Sequence, residues 1–262
     1  MREGHPRRQT RLTHLTFKLT IAYDGTDYVG WQRQATGTSI QGLLEDALKP
    51  IEGAPVTVHG AGRTDAGVHA LAQVASVQLT AAIDAATLGR ALNAVLPSDV
   101  RVLRVEPEAA DFHARFSAIG KRYEYRIING PVVPPFVHRY VWHVPQPLDF
   151  QAMADASAPL VGRHDFAAFQ AAGSETHTTV RSIQAIEWRG DAPSHTLHIE
   201  GDGFLRHMVR NIVGTIVEVG LGRRDAADVA RILASRDRSQ AGVTAPAKGL
   251  FLAAVLYHRQ FD

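Results

Sequence analysis

The chain has 262 residues, 45% hydrophobic and 21% charged, an ordinary globular composition with room for one large or two moderate domains. It contains no Cys, which excludes disulfides, thiolate metal sites and a cysteine nucleophile, and no apolar run reaches the roughly 18–20 residues of a membrane helix. Lys and Arg number 28 against 26 Asp and Glu, but residues 1–14 hold four Arg and one Glu, so the rest carries 24 basic and 25 acidic groups and no global excess that would mark a polyanion partner.

Residues 1–14 are polar, basic and without periodicity, and read as a flexible tail; lacking an apolar core of signal-peptide length, they leave the cytoplasm as the expected compartment. A strand is expected over Leu15–Tyr23, followed by a turn-rich loop through Asp24-Gly25-Thr26-Asp27 to Trp31. Ile40, Leu43, Leu44, Ala47, Leu48 and Ile51 form a helical stripe over 39–51, with Thr38 and Gln41 at capping-box spacing. A short strand over Val56–Val58, a glycine-punctuated loop and a strand over Gln73–Leu79 come next. Asp84 is placed to cap a helix over Ala85–Leu96, and a strand covers Val100–Val105. In the second half, strands are expected over Arg122–Ile128, Tyr140–Val144, Val180–Trp188, Thr196–Glu200 and Leu250–Tyr257. Helices are expected over Phe150–Leu160, Phe204–Val219 and Ala226–Ala234. Several strands and at least two helices in each half argue for an α+β chain of two similar halves, their mostly antiparallel sheets covered by helices on one face. The boundary is placed near 106–111, giving an N-terminal domain over 15–110 and a C-terminal domain over 111–262.

Three segments could carry chemistry. The densest is Gly60-Ala61-Gly62-Arg63-Thr64-Asp65-Ala66-Gly67-Val68-His69, where three glycines in eight positions force unusual backbone angles. Neither P-loop nor dinucleotide spacing is met. An acid on such a loop suits a nucleophile or general base, and equally suits a tight turn whose Asp satisfies backbone N–H groups. The second is Asp111-Phe112-His113-Ala114-Arg115-Phe116 with Lys121-Arg122-Tyr123, in which aromatics interleave with bases as in a nucleic-acid surface or a half-buried strand. The third lies on the long expected helix, where Arg206 and Arg210 share one side at i, i+4 with His207 and Asn211 nearby. Arg210 is either part of a solvated face or partly buried, and then needs a carboxylate partner, for which Asp65 is a candidate. The 13 His include no metal-ligand spacing beyond the pair His195 and His198, so no metal is expected, and no serine-centred elbow is present.

Taken in order, six segments resemble the tRNA pseudouridine synthase A family from about Leu19 to Tyr257. They are Tyr23-Asp24-Gly25-Thr26 with Gly30-Trp31-Gln32; Gly62-Arg63-Thr64-Asp65-Ala66-Gly67-Val68-His69; Asp111-Phe112-His113-Ala114-Arg115-Phe116 with Arg122-Tyr123; Gly162-Arg163-His164-Asp165-Phe166; Gly203-Phe204-Leu205-Arg206-His207-Met208-Val209-Arg210-Asn211; and Gly249-Leu250. The resemblance implies a homodimer of two-domain chains with a cleft between the domains, no metal and no organic cofactor. The implied substrate is uridine at positions 38, 39 and 40 in the anticodon stem-loop of tRNA. Asp65 matches the family's nucleophile, Tyr123 the tyrosine that stacks on uracil, Arg63 an arginine linked to base flipping, and Arg210 the arginine that pairs with the aspartate. Phe112, His113, Ala114, Arg115 and Phe116 fall in a tRNA-binding segment, with Leu250 beside the uracil floor. Arg206, and Ser174 and His177 in the 173–177 loop, are further tRNA-contact candidates. Two other classes fit parts of the pattern: a tRNA-binding protein without turnover, which has no use for Asp65, and a glycoside hydrolase, which needs a second acid where the motif has Arg and His.

Overall fold

The computed structural model describes residues 14–173 and 176–257. The basic-tail expectation, apart from His14, and the Ser174 expectation fall outside these residues. Among those described, no helix is long and apolar enough to cross a membrane.

Strand β1 (Leu15–Tyr23) alternates as its sequence does: Phe17, Leu19, Ile21 and Tyr23 are buried, and Lys18 sits on the other face with Glu106 and Glu108 at 3.1 and 3.0 Å. Helix α1 (Ile40–Glu52) buries Ile40, Leu44, Ala47 and Leu48 of its expected stripe, with Leu43 and Ile51 half-buried at its edges. Its cap is Ser39, whose side chain accepts from Gly42 N at 3.2 Å, one residue later than the Thr38 capping-box spacing suggested. Val56–Val58 forms no strand, because α1 side chains satisfy the Val58 backbone: Val58 N donates to Glu45 Oε1 and Gln41 Nε2 donates to Val58 O, both at 3.2 Å. Pairing begins only at β2 (His59–Gly60), against β3 (His69–Leu79). Helix α2 (Ala85–Val95) is capped by Asp84, which accepts from Thr87 N at 2.9 Å, and leads into β4 (Val100–Glu108).

The second half contains β5 (Ala118–Asn129), β6 (Trp142–Val144), α3 (Phe150–Ser157), β7 (Gly162–Asp165), β8 (Val180–Arg189), β9 (Ser194–Gly201), α4 (Met208–Gly220), α5 (Ala227–Ser235) and β10 (Leu250–Tyr257). β6 starts two residues later than expected because Tyr140 closes a turn onto Val137 O.

All ten strands belong to one mixed sheet with the order β4-β1-β3-β10-β5-β9-β8-β7, β2 adding to β3 and β6 to β5. The C-terminal strand therefore sits at the centre. β10 pairs parallel with β3 (Phe251↔His69, Leu252↔Ala70) and antiparallel with β5 (Leu250↔Tyr125, Leu252↔Tyr123). This central position places the Asp65 loop, which runs into β3, beside Tyr123 on β5. One continuous core joins the apolar face of this sheet to all five helices, so the helices lie on one face, as expected for this α+β class.

The long helix departs from its expectation. α4 begins at Met208, four residues after Phe204. Gly203–His207 is a turn in which Met208 N donates to Leu205 O and Ala171 N donates to Arg206 O, and His207 takes a left-handed φ of 62°. The apolar periodicity ran through this break because Leu205 is buried in the turn as it would be in a helix. Arg206 and Arg210 are therefore not neighbours along one helical face. The segment that follows α5 also packs on α4, where Gly214 lies so near Val243 that an added Cβ would meet its carbonyl oxygen.

Candidate active site

The Asp65 loop is gripped from two sides. From below, the Tyr23 hydroxyl lies 2.8 Å from Thr64 Oγ1, and fully buried Gln73 donates to Gly62 O at 3.0 Å. From the side, Trp31 N donates to Thr64 O at 3.0 Å, which brings the 24–31 loop against it. That approach requires glycine: a Cβ at Gly30 (φ 104°) would sit 2.5 Å from Thr64 O, and one at Gly25 only 2.0 Å from Val68 O. His69 anchors the far end, with Gly25 N donating to its Nδ1 at 3.0 Å and Asp24 Oδ1 3.1 Å from the same nitrogen. Asp24 in turn accepts from the Tyr140 hydroxyl at 2.7 Å. Burial lowers the His69 pKa despite the adjacent carboxylate, which keeps the ring neutral near pH 7.

Within this frame Asp65 points at the start of α4. Its Oδ2 is 3.4 Å from Arg210 Nη1 and 3.4 Å from His207 Nε2. Arg210 is fixed at its other edge, where Nε donates to Ala245 O at 2.7 Å, and only 15% of its side chain is exposed. The partly buried alternative for Arg210, with Asp65 as its partner, is the arrangement present. Asp65 Oδ1 has no hydrogen-bond partner among the described residues. Burial lowers the His207 pKa, and Arg210, Arg206 and Arg238 add to this against the pull of Asp65.

Tyr123 is buried on β5, with Phe204 packed edge-on at a ring-centre distance of 5.1 Å. Burial, then Tyr23 and the Asp65 charge, push its phenol pKa up, so the hydroxyl holds its proton at any working pH. Burial likewise raises Tyr23 to about 12. Leu250 is buried in the same core but lies opposite Tyr125; the residue paired with Tyr123 is Leu252. Lys121, on the same strand face as Tyr123, runs beside Gly62, where an added Cβ would be 3.1 Å from Lys121 Cε. Burial lowers its pKa, as do the nearby Arg115 and Arg181. The sequence marked Lys121 only as one of the bases in the Lys121-Arg122-Tyr123 run, not as a neighbour of the Asp65 loop.

Arg63 is exposed. The Phe112–Phe116 segment packs on the opposite side of the sheet: Ala114 N donates to Ser76 Oγ at 3.0 Å, and Ala114 forms a small core with Ala61 and Val74. Phe116 is 78% exposed, with Arg115 5.7 Å above its ring and His113 at 4.4 Å, while Phe112 packs on Tyr257. Ala61 thus links this aromatic and basic surface to the root of the Asp65 loop. Arg206 and His177 are exposed. Among the described residues no three His, Asp or Glu side chains converge as a metal site.

The model of the tRNA pseudouridine synthase family matches residues 19–117 and 156–258 of this chain. The chain belongs to this family. Among the relatives it resembles are tRNA pseudouridine synthase A of Solidesulfovibrio magneticus, 49% identical over 92% of this chain and 90% of that one. That of Myxococcus xanthus is 48% identical over 92% and 91%. That of Syntrophotalea carbinolica is 46% identical over 93% and 96%. The matched segments include the Asp65 loop and Arg210, while Tyr123 lies between them.

Proposed function

We propose that the chain isomerises uridine to pseudouridine in tRNA, with Asp65 as the nucleophile, at positions 38, 39 and 40 of the anticodon stem-loop. The observation that carries this is the Asp65 carboxylate, hydrogen-bonded by Arg210 and approached by His207 at one oxygen and open at the other, beside a buried tyrosine in a chain of this family.

The reaction breaks the bond from C1′ to N1 and joins C1′ to C5; the hydrogen on C5 is lost and N1 gains a proton. A carboxylate can serve by attacking C1′ or by adding to C6, and either route needs it ionised. The Arg210 guanidinium beside it supplies a counter-charge and fixes one of its oxygens. The target base must leave its stack, at a cost of a few kcal/mol, and exposed Arg63, two residues before Asp65, is placed to fill the gap. The detached uracil needs a floor that holds it while it turns. The Tyr123 ring supplies this, since stacking on an aromatic is worth roughly 1–3 kcal/mol per base. The surface made by Arg115, Phe116, His113 and Phe112 offers cations and rings to the flanking RNA, and exposed Arg206 and His177 would extend it. The two halves, over 15–110 and 111–262, form the walls of the site, and two copies would assemble in the cytoplasm as a homodimer.

The test is incubation with unmodified tRNA and site-by-site mapping of pseudouridine. Conversion at one or more of the three positions is expected, and Asp65→Asn is expected to abolish it while tRNA affinity changes little. Turnover by Asp65→Asn would remove the nucleophile assignment.

A further inference from the structure

The Asp65 carboxylate faces two nitrogen groups at the same oxygen, a hydrogen bond from Arg210 and a close approach of the His207 ring. Arg210 Nη1 and His207 Nε2 each lie 3.4 Å from Oδ2, while Oδ1 has no partner among the described residues. Arg210 comes from inside α4 and is tied to Ala245 O. His207 comes from the residue just before α4, where the chain takes a left-handed φ of 62°. Non-glycine residues rarely adopt that conformation, although His is among those that tolerate it. No capping bond from the His207 side chain accounts for it. What the conformation accomplishes is the contact with Asp65.

One donor fixes the distance of a carboxylate but leaves it free to swing about its Cβ–Cγ bond. Two donors converging from different directions on one oxygen remove that freedom and commit the other oxygen to the open side. The groups facing the imidazole are Asp65, Arg206, Arg210 and Arg238. Three cations and partial burial favour the neutral ring. A neutral imidazole can still donate from Nε2, so it orients the carboxylate without adding a second charge that would quench it as a nucleophile.

We propose that His207 is a positioning residue for the reaction, whose Nε2–H holds Asp65 Oδ2 together with Arg210 and so presents Oδ1 as the attacking atom. This rests on Asp65 being the nucleophile. It assigns a role to a residue of the Phe204–Arg210 run that pairing of Asp65 with Arg210 alone does not use.

Three variants separate the donor from the backbone. His207→Gly removes the ring yet suits the left-handed backbone, His207→Asn tolerates that backbone but places its amide too short to reach, and His207→Gln restores a donor at the reach of Nε2. Single-turnover pseudouridine formation in the Gly and Asn variants is expected to fall about 10-fold to 100-fold, the scale of a misplaced reacting group. Their tRNA dissociation constants should change less than about 3-fold, and the Gln variant should come within about 5-fold of the parent rate, since the loss is of orientation and not of binding. Parent-like rates in the Gly and Asn variants would overturn the proposal. So would a Gln variant as slow as the Gly variant, because the donor would then not be the reason. If the parent itself makes no pseudouridine, or Asp65→Asn turns over, the functional reading has failed and not the role of His207.

Discussion

Removing the Arg210 charge while keeping its bulk isolates what the guanidinium does for Asp65, and Arg210→Met is the direct perturbation. At 3.4 Å and an effective dielectric near 20, the pair interacts by about 5 kcal/mol. Side-chain exposures of 15% for Arg210 and 28% for Asp65 admit solvent screening, which reduces this to about 2–3 kcal/mol. If that energy is what keeps the carboxylate in its reacting geometry, the single-turnover rate falls about 30-fold to 150-fold at 1.4 kcal/mol per decade. The assay follows loss of the C5 hydrogen to water from tRNA made with 5-tritiated uridine, under excess enzyme, so that binding and product release do not contribute. Affinity for tRNA, measured separately, should move little, because Arg210 is mostly buried against Ala245 and not offered to phosphate. Arg210→Lys should recover only part of the loss, since one ammonium cannot reproduce the fork that reaches both Ala245 O and Asp65. A parent-like rate for Arg210→Met, in protein that melts as the parent does, would refute the reasoning.

Tyr123→Phe keeps the ring edge against Phe204, so tRNA affinity should hold while product formation slows; an unchanged single-turnover rate would remove any proton-transfer role for the hydroxyl. Gly30→Ala forces a Cβ to within 2.5 Å of Thr64 O at φ 104°, which should cost about 2–4 kcal/mol and lower Tm by about 5–15 °C, read by calorimetry. Gly53→Ala is its control, since Gly53 also has a positive φ but no atom within 4 Å, and it should cost only about 1 kcal/mol. Burial holds the His69 pKa below the 6.5 of the unfolded chain. The unfolded state therefore takes up the proton first, and stability is lost as pH falls below about 6.5. His69→Gln should flatten the fall in Tm between pH 7 and 5, though not remove it, since His113, His195 and His207 are lowered too. An unaltered slope would show that His69 does not titrate in this range.

The sequence by itself determined the elements whose side chains alternate or repeat with clear period. β1 and β10 fall on their expected residues, α1 shifts by one residue at each end and α2 by one at its C-terminal end, because local burial pattern and cap chemistry set them. It also marked out the glycine-bounded Asp65 loop and the Arg210 run as candidate segments, which the structure brings into contact. It could not supply Val58, whose backbone partners are side chains 13 and 17 residues away, or the break at His207, where Leu205 satisfies the helical period from inside a turn. Tertiary structure alone decided that the last strand lies between β3 and β5, which brings Asp65 to Tyr123. It also decided that Asp65 meets Arg210 and His207 across 145 and 142 residues of chain, and that both lie nearest the same oxygen. Such contacts follow from how separate elements pack, and no periodicity of one element encodes the distance to another.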